Sequence, residues 1–285
     1  MAEYLIQGET LTGIADAIRG KTGGTEPVAV SDMAAQIEGI EAGGGDDVLN
    51  ALIDGSITEI SSNATSIGNF AFSTRSGLTA ADFPAATIVG NRAFNQCSNL
   101  TTVNFPSATI VGDYVFYSCS SLTTVNFPSA TSIGNYAFQS CSSLTTVNFP
   151  SATSIGDNVF QSCSSLTTVD FHVATSIGKY AFYYCFDLTT VDIRVATSIG
   201  RGVFMSCTAL KALILRSETM STLENTDAFS NTAIINGTGY IYVPSSLIEQ
   251  YKVATNWSTY AAQFRALEDY TVDGTVTGEL DESKI

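Results

Sequence analysis

The chain has little of what most protein chemistry uses. Its 285 residues include one histidine, one tryptophan, and twelve lysines and arginines against 27 aspartates and glutamates. The single histidine, His172, lies between Phe171 and Val173, with no second imidazole for a metal and no neighbouring nucleophile to activate. The shortage of basic residues excludes nucleic acid as a partner, because an acidic chain repels a phosphate backbone. No stretch reaches the roughly 20 apolar residues that span a bilayer, so membrane insertion is not expected. The opening Met1-Ala-Glu-Tyr-Leu-Ile-Gln-Gly has neither the basic start nor the apolar run of a secretory signal. The net charge of −15 sits on the flanks. Residues 1–63 hold 11 acidic and 2 basic side chains, 64–217 hold 6 and 7, and 218–285 hold 10 and 3. The acidic ends keep a neutral, Ser/Thr-rich middle in solution.

What is abundant is repetition. Seven copies of a 22-residue unit begin at Ala64, Ala86, Ala108, Ala130, Ala152, Ala174 and Ala196, without insertion or deletion. A fixed period of this size defines a solenoid, in which each unit buries its apolar side only by stacking on a neighbour. In Leu122-Thr-Thr-Val-Asn-Phe127 the alternation points Val125 and Phe127 inward and Thr124 and Asn126 outward. Pro128 ends that strand. In Ile133-Gly-Asn-Tyr-Ala-Phe138, Ile133, Ala137 and Phe138 form the buried set, with Asn135 and Tyr136 outside.

The flanks break the period. Residues 1–41 read as a small helical attachment module, 42–47 as a Gly-rich linker and 48–63 as an N-terminal cap. After the array at 64–217, residues 218–266 read as a C-terminal cap and 267–285 as a tail. Within that cap, Tyr240–Val243 reads as a last strand. A helix capped by Ser245 or Ser246 then carries Leu247 and Tyr251, and Trp257, Tyr260, Ala261 and Phe264 continue on helical spacing.

Several residues invite chemistry. One cysteine per repeat stands at 97, 119, 141, 163, 185 and 207, with Arg75 in the first copy. Stacked coils place equivalent Cβ atoms about 4.8 Å apart, wider than the roughly 3.8 Å of a disulfide, so six free buried thiols are expected. No close Cys or His pair suggests a metal, and no cofactor is expected. Gly20-Lys-Thr22 lacks the earlier glycine of a phosphate loop; Ala15 stands there. Asp170 and Asp192 on adjacent coils would be near 5 Å apart, the separation of a retaining glycosidase pair. An open strip holds no sugar between them, so catalysis is not expected. That outward strip, Thr124, Asn126, Thr146, Asn148, Thr168, Asp170, Thr190 and Asp192, has two readings. It is either a hydrogen-bonded ladder that stabilises the stack, or a flat polar surface that binds a ligand. A second outward set, Tyr114, Tyr136 and Tyr180 with Tyr117 and Tyr183, suits recognition.

The unit Ile-Gly-x-x-Ala-Phe-x-x-Cys-x-x-Leu-x-x-Val-x-Phe-Pro resembles the BspA-like class of leucine-rich repeats. The resemblance implies an α/β solenoid: a right-handed array with one parallel concave sheet, irregular or helical turns opposite, and an α-helical C-terminal cap. It also implies a non-enzymatic adhesin of bacterial surfaces, whose partner is a host cell-surface protein or glycan. The stretch Leu5–Arg19 through Met33, and Tyr270–Lys284, resemble segments of tail-associated proteins of Firmicute phages and prophages. That resemblance implies a virion tail location outside the cell, with residues 1–41 meeting phage tail proteins. A spacer without a ligand is the remaining alternative.

Overall fold

The computed structural model describes residues 58–272 and 275–276; the expected module at 1–41, linker at 42–47 and first ten residues of the cap lie outside them. The described chain is a parallel-sheet solenoid of about nine turns. Each coil runs through a strand, a corner, a second strand and a turn segment.

The first row of strands is β1 (Glu59–Ser61), β3 (Ala80–Asp82), β5 (Thr102–Asn104), β7 (Thr124–Asn126), β9 (Thr146–Asn148), β11 (Thr168–Phe171), β13 (Thr190–Ile193), β15 (Ala212–Leu215), β17 (Tyr240–Val243) and β18 (Phe264–Ala266). It pairs in three blocks, β1-β3-β5, β7-β9 and β11-β13-β15-β17-β18. Register is one repeat: Thr124 faces Thr146, Val125 faces Val147 and Asn126 faces Asn148. Val125 and Phe127 are 3% and 0% exposed, so the inward and outward assignment holds.

The second row corrects the expectation of one sheet with irregular turns opposite. The two-residue strands β2 (Ser66–Ile67), β4 (Ile88–Val89), β6 (Ile110–Val111), β8 (Ser132–Ile133), β10 (Ser154–Ile155), β12 (Ser176–Ile177), β14 (Ser198–Ile199) and β16 (Thr222–Leu223) form one unbroken eight-stranded sheet. In β8, Ile133 is buried and Ser132 exposed. The Gly after each of β4 to β14 continues the ladder, as when Gly134 N–H donates to the Val111 carbonyl at 2.8 Å, and Glu224 does so after β16.

The turn segment adds a third set of bonds between coils. Tyr114, Phe116 and Ser118 donate their N–H groups to the carbonyls of Asn135, Ala137 and Gln139 at 2.9, 2.7 and 2.8 Å. Tyr114 and Ser118 reach them with φ of 57° and 58°. These bonds run toward the following coil, whereas Gly134 reaches back to the preceding one. All three sides of the coil are therefore cross-linked through backbone amides, which leaves few buried backbone groups without partners.

Two columns of phenylalanine fill the interior. Phe94, Phe116, Phe138 and Phe160 stack at 5.3–5.6 Å, and Phe83, Phe105, Phe127 and Phe149 stack at 5.6–5.7 Å. Full burial of each ring contributes about 1.5–3 kcal/mol.

The C-terminal end differs from its expected form. Tyr240–Val243 is a strand, but β18 adds a further parallel strand beyond it. The helix α1 (Ile248–Val253) is preceded by a 3-10 turn over Ser245–Leu247 that starts after Pro244, with no side-chain cap from either serine. Trp257–Gln263 is a kinked 3-10 segment and Phe264 opens β18, so the helical spacing of Trp257, Tyr260 and Phe264 came from packing rather than one helix. Trp257 is 1% exposed and edge-on to Tyr251 at 5.3 Å. Its indole N–H donates to the Ser221 carbonyl at 2.8 Å, and the Tyr260 hydroxyl donates to the Thr226 carbonyl. It anchors the end of the core. Among the described residues, no helix is long and apolar enough to cross a membrane.

Candidate functional site

The outward strip stands on the first strand row, where the pleat sends every second side chain out. Thr124, Asn126, Thr146, Asn148 and Thr168 are exposed, the first four in register on β7 and β9 and Thr168 on β11 in the next coil. The asparagines form a ladder in part: Asn148 Nδ2 donates to Asn126 Oδ1 at 2.9 Å, and Asn104 Nδ2 donates to Asp82 Oδ1 at 2.7 Å. The adjacent threonine column is self-satisfied, with Thr145 Oγ1 donating to the Thr123 carbonyl at 3.1 Å. Thr124, Thr146 and Thr168 point outward beside the exposed asparagines.

At its C-terminal end the strip is closed, which corrects the reading of Thr190 and Asp192 as outward groups. Asp192 is buried, and both of its oxygens are held by Arg216 through Nε at 2.9 and 3.0 Å and Nη2 at 2.9 Å. Thr190 is half-buried beside the Tyr270 phenol, whose own burial raises its pKa. Tyr270 stands edge-on to Tyr242 at 4.9 Å, so the segment after β18 folds back over the sheet. Asp170 is in register with Asp192, but its side chain lies outside the described part. A carboxylate bound bidentately by guanidinium is not a free nucleophile. Arg216 was legible in principle: it occupies the slot held by Pro84, Pro106, Pro128 and Pro150 in earlier copies. His172 and Arg194 fill the same slot, and His172 is half-buried just beyond β11.

The turn segment carries a polar column that the sequence reading left outside as solvated. Asn91 and Asn135 each accept through Oδ1, from the N–H groups of Asp113 and Asp157, both at 2.8 Å. Asp113 and Asp157 do the same for Asn135 and Lys179, both at 2.7 Å. Lys179 has no acceptor to continue the series. Glu224 replaces it, accepting from Arg201 N–H at 3.0 Å and pairing with Lys179 Nζ at 3.2 Å.

Next to this column runs the aromatic one. Phe70, Arg92, Tyr114, Tyr136, Asn158, Tyr180 and Gly202 occupy equivalent positions, all with φ between 54° and 60°. A residue with a Cβ pays about 1–2 kcal/mol to sit there, which Gly202 avoids and Asn158 tolerates best. Arg92 lies 4.6 Å from the Tyr114 ring centre, and Tyr114 stacks on Tyr136 at 4.6 Å and 8°. Two coils on, Tyr183 stacks on Tyr184 at 3.8 Å, with Phe186 5.6 Å from Tyr184. Tyr184 and Phe186 are exposed.

The six thiols are free and buried. Each Sγ donates to the carbonyl of the phenylalanine 25 residues back, as Cys141 does to Phe116 at 3.1 Å. Burial pushes the Cys97 thiol up to about 12 and raises the Cys163 thiol as well. A thiol whose pKa is raised by folding stabilises the fold fully below its unfolded value of 9.0, and that stabilisation is lost as pH rises toward the folded value. Thiol titration with an aromatic disulfide reagent is therefore expected to count no reactive thiol in the native protein at pH 8 and six after denaturation without reductant. The unfolding midpoint should fall steadily from pH 9 upward. Fewer than six thiols on unfolding would mean that bridges exist.

Stacked coils, two rows of parallel strands and a side-chain ladder define a repeat protein whose surface grows with its length. The pattern of the BspA type leucine-rich repeat region matches residues 54–167 and 131–254, and the chain belongs to that family. Among solved structures it is similar to a leucine rich cell surface protein from Faecalibacterium prausnitzii, at 21% identity over 74% of this chain and 78% of that one, with a TM-score of 0.45. It is also similar to a leucine-rich repeat protein of T. pallidum, at 22% identity over 61% of this chain and 76% of that one, with a TM-score of 0.43. A leucine-rich repeat protein from Bacteroides ovatus is similar at 21% identity over 63% of this chain and 59% of that one, with a TM-score of 0.40. No curated protein matches in sequence.

Proposed function

We propose that this protein is a non-enzymatic binding protein of an outer surface, and that its repeat face meets a host cell-surface protein or glycan. The observation that carries the reading is the exposed row of Thr124, Asn126, Thr146 and Asn148, in register on β7 and β9, with Thr168 exposed on the next coil. Such a row offers the same weak contact once per coil, and repeated contacts along one ligand multiply into avidity. Two locations serve this function. Display on the bacterial surface is supported by the family; display on a phage tail would follow from the resemblance of Leu5–Arg19 through Met33, and of Tyr270–Lys284, to tail-associated proteins. Tail, baseplate or lysis genes beside the coding sequence would favour the phage, and cell-wall sorting genes the bacterium.

Binding to host cells and purified cell walls is expected to fall at least tenfold in Asn126→Lys and Asn148→Lys. Each puts a bulky charge on the row without touching the core. Binding that survives both changes places the contact elsewhere, and no binding to any host surface leaves a spacer.

A further inference from the structure

We propose that the turn side of the solenoid carries a second, separate binding site: a notch above Asn158, walled by Tyr136 and Tyr180, that takes one neutral pyranose ring of an oligosaccharide. It lies in the turn segment rather than on the strand row, and it does not rest on the strip reading.

The notch arises from one interruption in a column. Tyr136 and Tyr180 occupy equivalent positions two coils apart, with the shorter Asn158 between them. One face of Tyr136 is covered by Tyr114 at 4.6 Å, leaving the face toward Asn158. Tyr180 leans the other way: a methyl carbon on Gly202 would come within 2.6 Å of its Cδ1. The ring therefore leans toward Gly202 and leaves the space above Asn158 open. Gly202 and Asn158 act together, one making room for the wall and the other setting the floor.

The dimensions fit a six-membered ring. Two coil spacings put the backbones of Tyr136 and Tyr180 about 9–10 Å apart, and the tilt of Tyr180 toward Gly202 widens the gap at the height of the rings. A saturated ring stacked about 4.5–5 Å from the Tyr136 ring centre lies within that width, with Tyr180 closing the far side. The axial C–H bonds of a pyranose carry partial positive charge, which suits the electron-rich faces of both tyrosines. The floor supplies amides: Asn158 and Gln161 are half-buried, and each offers a donor and an acceptor to vicinal hydroxyls. The charges beside the notch are already engaged, Asp157 Oδ1 with Lys179 N–H at 2.7 Å and Lys179 Nζ with Glu224 at 3.2 Å. A neutral ligand matches this better than an anionic one. A proline ring of an extended peptide would fill the same width but bring no hydroxyls to the amides. Beyond Tyr180, exposed Tyr184 and Phe186 extend the aromatic surface and give adjoining sugar units a place to lie.

The test is calorimetric titration of the full chain with chitohexaose, cellohexaose and mannohexaose, with a polyproline peptide in parallel. At least one hexaose is expected to bind, with affinity reduced tenfold or more in Asn158→Tyr and in Tyr180→Ser and unchanged in Val253→Lys, an exposed position on α1 outside both surfaces. Asn158→Tyr is the decisive variant. The same position holds tyrosine in three other coils at the same φ, so the substitution fills the notch and the coil still folds, which a thermal melt verifies. Failure of all three saccharides to bind, binding that persists in Asn158→Tyr, or binding of polyproline alone overturns the proposal. Loss in Asn126→Lys with retention in Asn158→Tyr would uphold the strip and overturn the notch.

Discussion

Gly134→Ala is expected to destabilise the solenoid by about 3 kcal/mol or more, the upper range of overpacking plus a lost backbone bond. The added methyl carbon would stand 2.5 and 2.6 Å from the carbonyl carbon and oxygen of Gly112, and 2.7 Å from the Asp113 nitrogen. Those atoms belong to backbone that is itself bonded to the preceding coil, Gly112 N–H to the Val89 carbonyl and Asp113 N–H to Asn91 Oδ1, so no side chain can swing away. The two coils must part, and the Gly134 to Val111 hydrogen bond parts with them. The matching control is Gly68→Ala at the first coil, where nothing lies within 4 Å of the added carbon. It should change stability by less than about 0.5 kcal/mol. Urea unfolding of both variants separates close approach from any general cost of losing glycine. Equal loss in the two would mean that coil contact is not the cause.

Phe138→Ala is expected to cost about 3–5 kcal/mol. The ring is fully buried and touches Phe116 at 5.3 Å, Phe160 and Phe149 at 5.6 Å and Phe127 at 6.2 Å, so its removal opens both columns at once. A solenoid is held together by contacts between neighbouring coils, and weakening one interface uncouples the two sides of it. Hydrogen exchange should therefore show the coils before and after residue 138 opening with different free energies, where the unaltered protein opens as one unit. A single cooperative transition shifted by less than 1 kcal/mol would contradict this account of the core.

The parts of this fold that were legible are those written over several residues. Val125 and Phe127 sit on opposite sides of Asn126, and that alternation places a strand and its inward face. The second sheet escaped because Ser132-Ile133 is two residues long, and alternation needs at least four to register. The polar column of Asn91, Asp113, Asn135 and Asp157 was missed, with Asn135 read only as an outside residue, because its partners lie 22 residues away and only stacking reveals them. The outward strip was read correctly along β7 and β9. It failed at Thr190 and Asp192, because Arg216 and Tyr270 come from sequence where the repeat has decayed. The C-terminal aromatics misled for a related reason: Trp257, Tyr260 and Phe264 face one core, and a shared face imitates helical spacing.

The Asn/Asp column also bears on how the molecule changes over generations. Any unit that offers a carboxylate or amide oxygen at this place fits beneath any other, so a 22-residue block copied within Ala86–Val173 would meet ready-made neighbours on both sides. Each such copy would lengthen the rod by about 4.8 Å without altering either end. Lys179 sets the limit, since the coil above it depends on Glu224 and cannot accept a standard unit in its place. Reach is thus a heritable quantity in this protein, adjustable in whole steps by recombination on one side of Lys179 and fixed on the other.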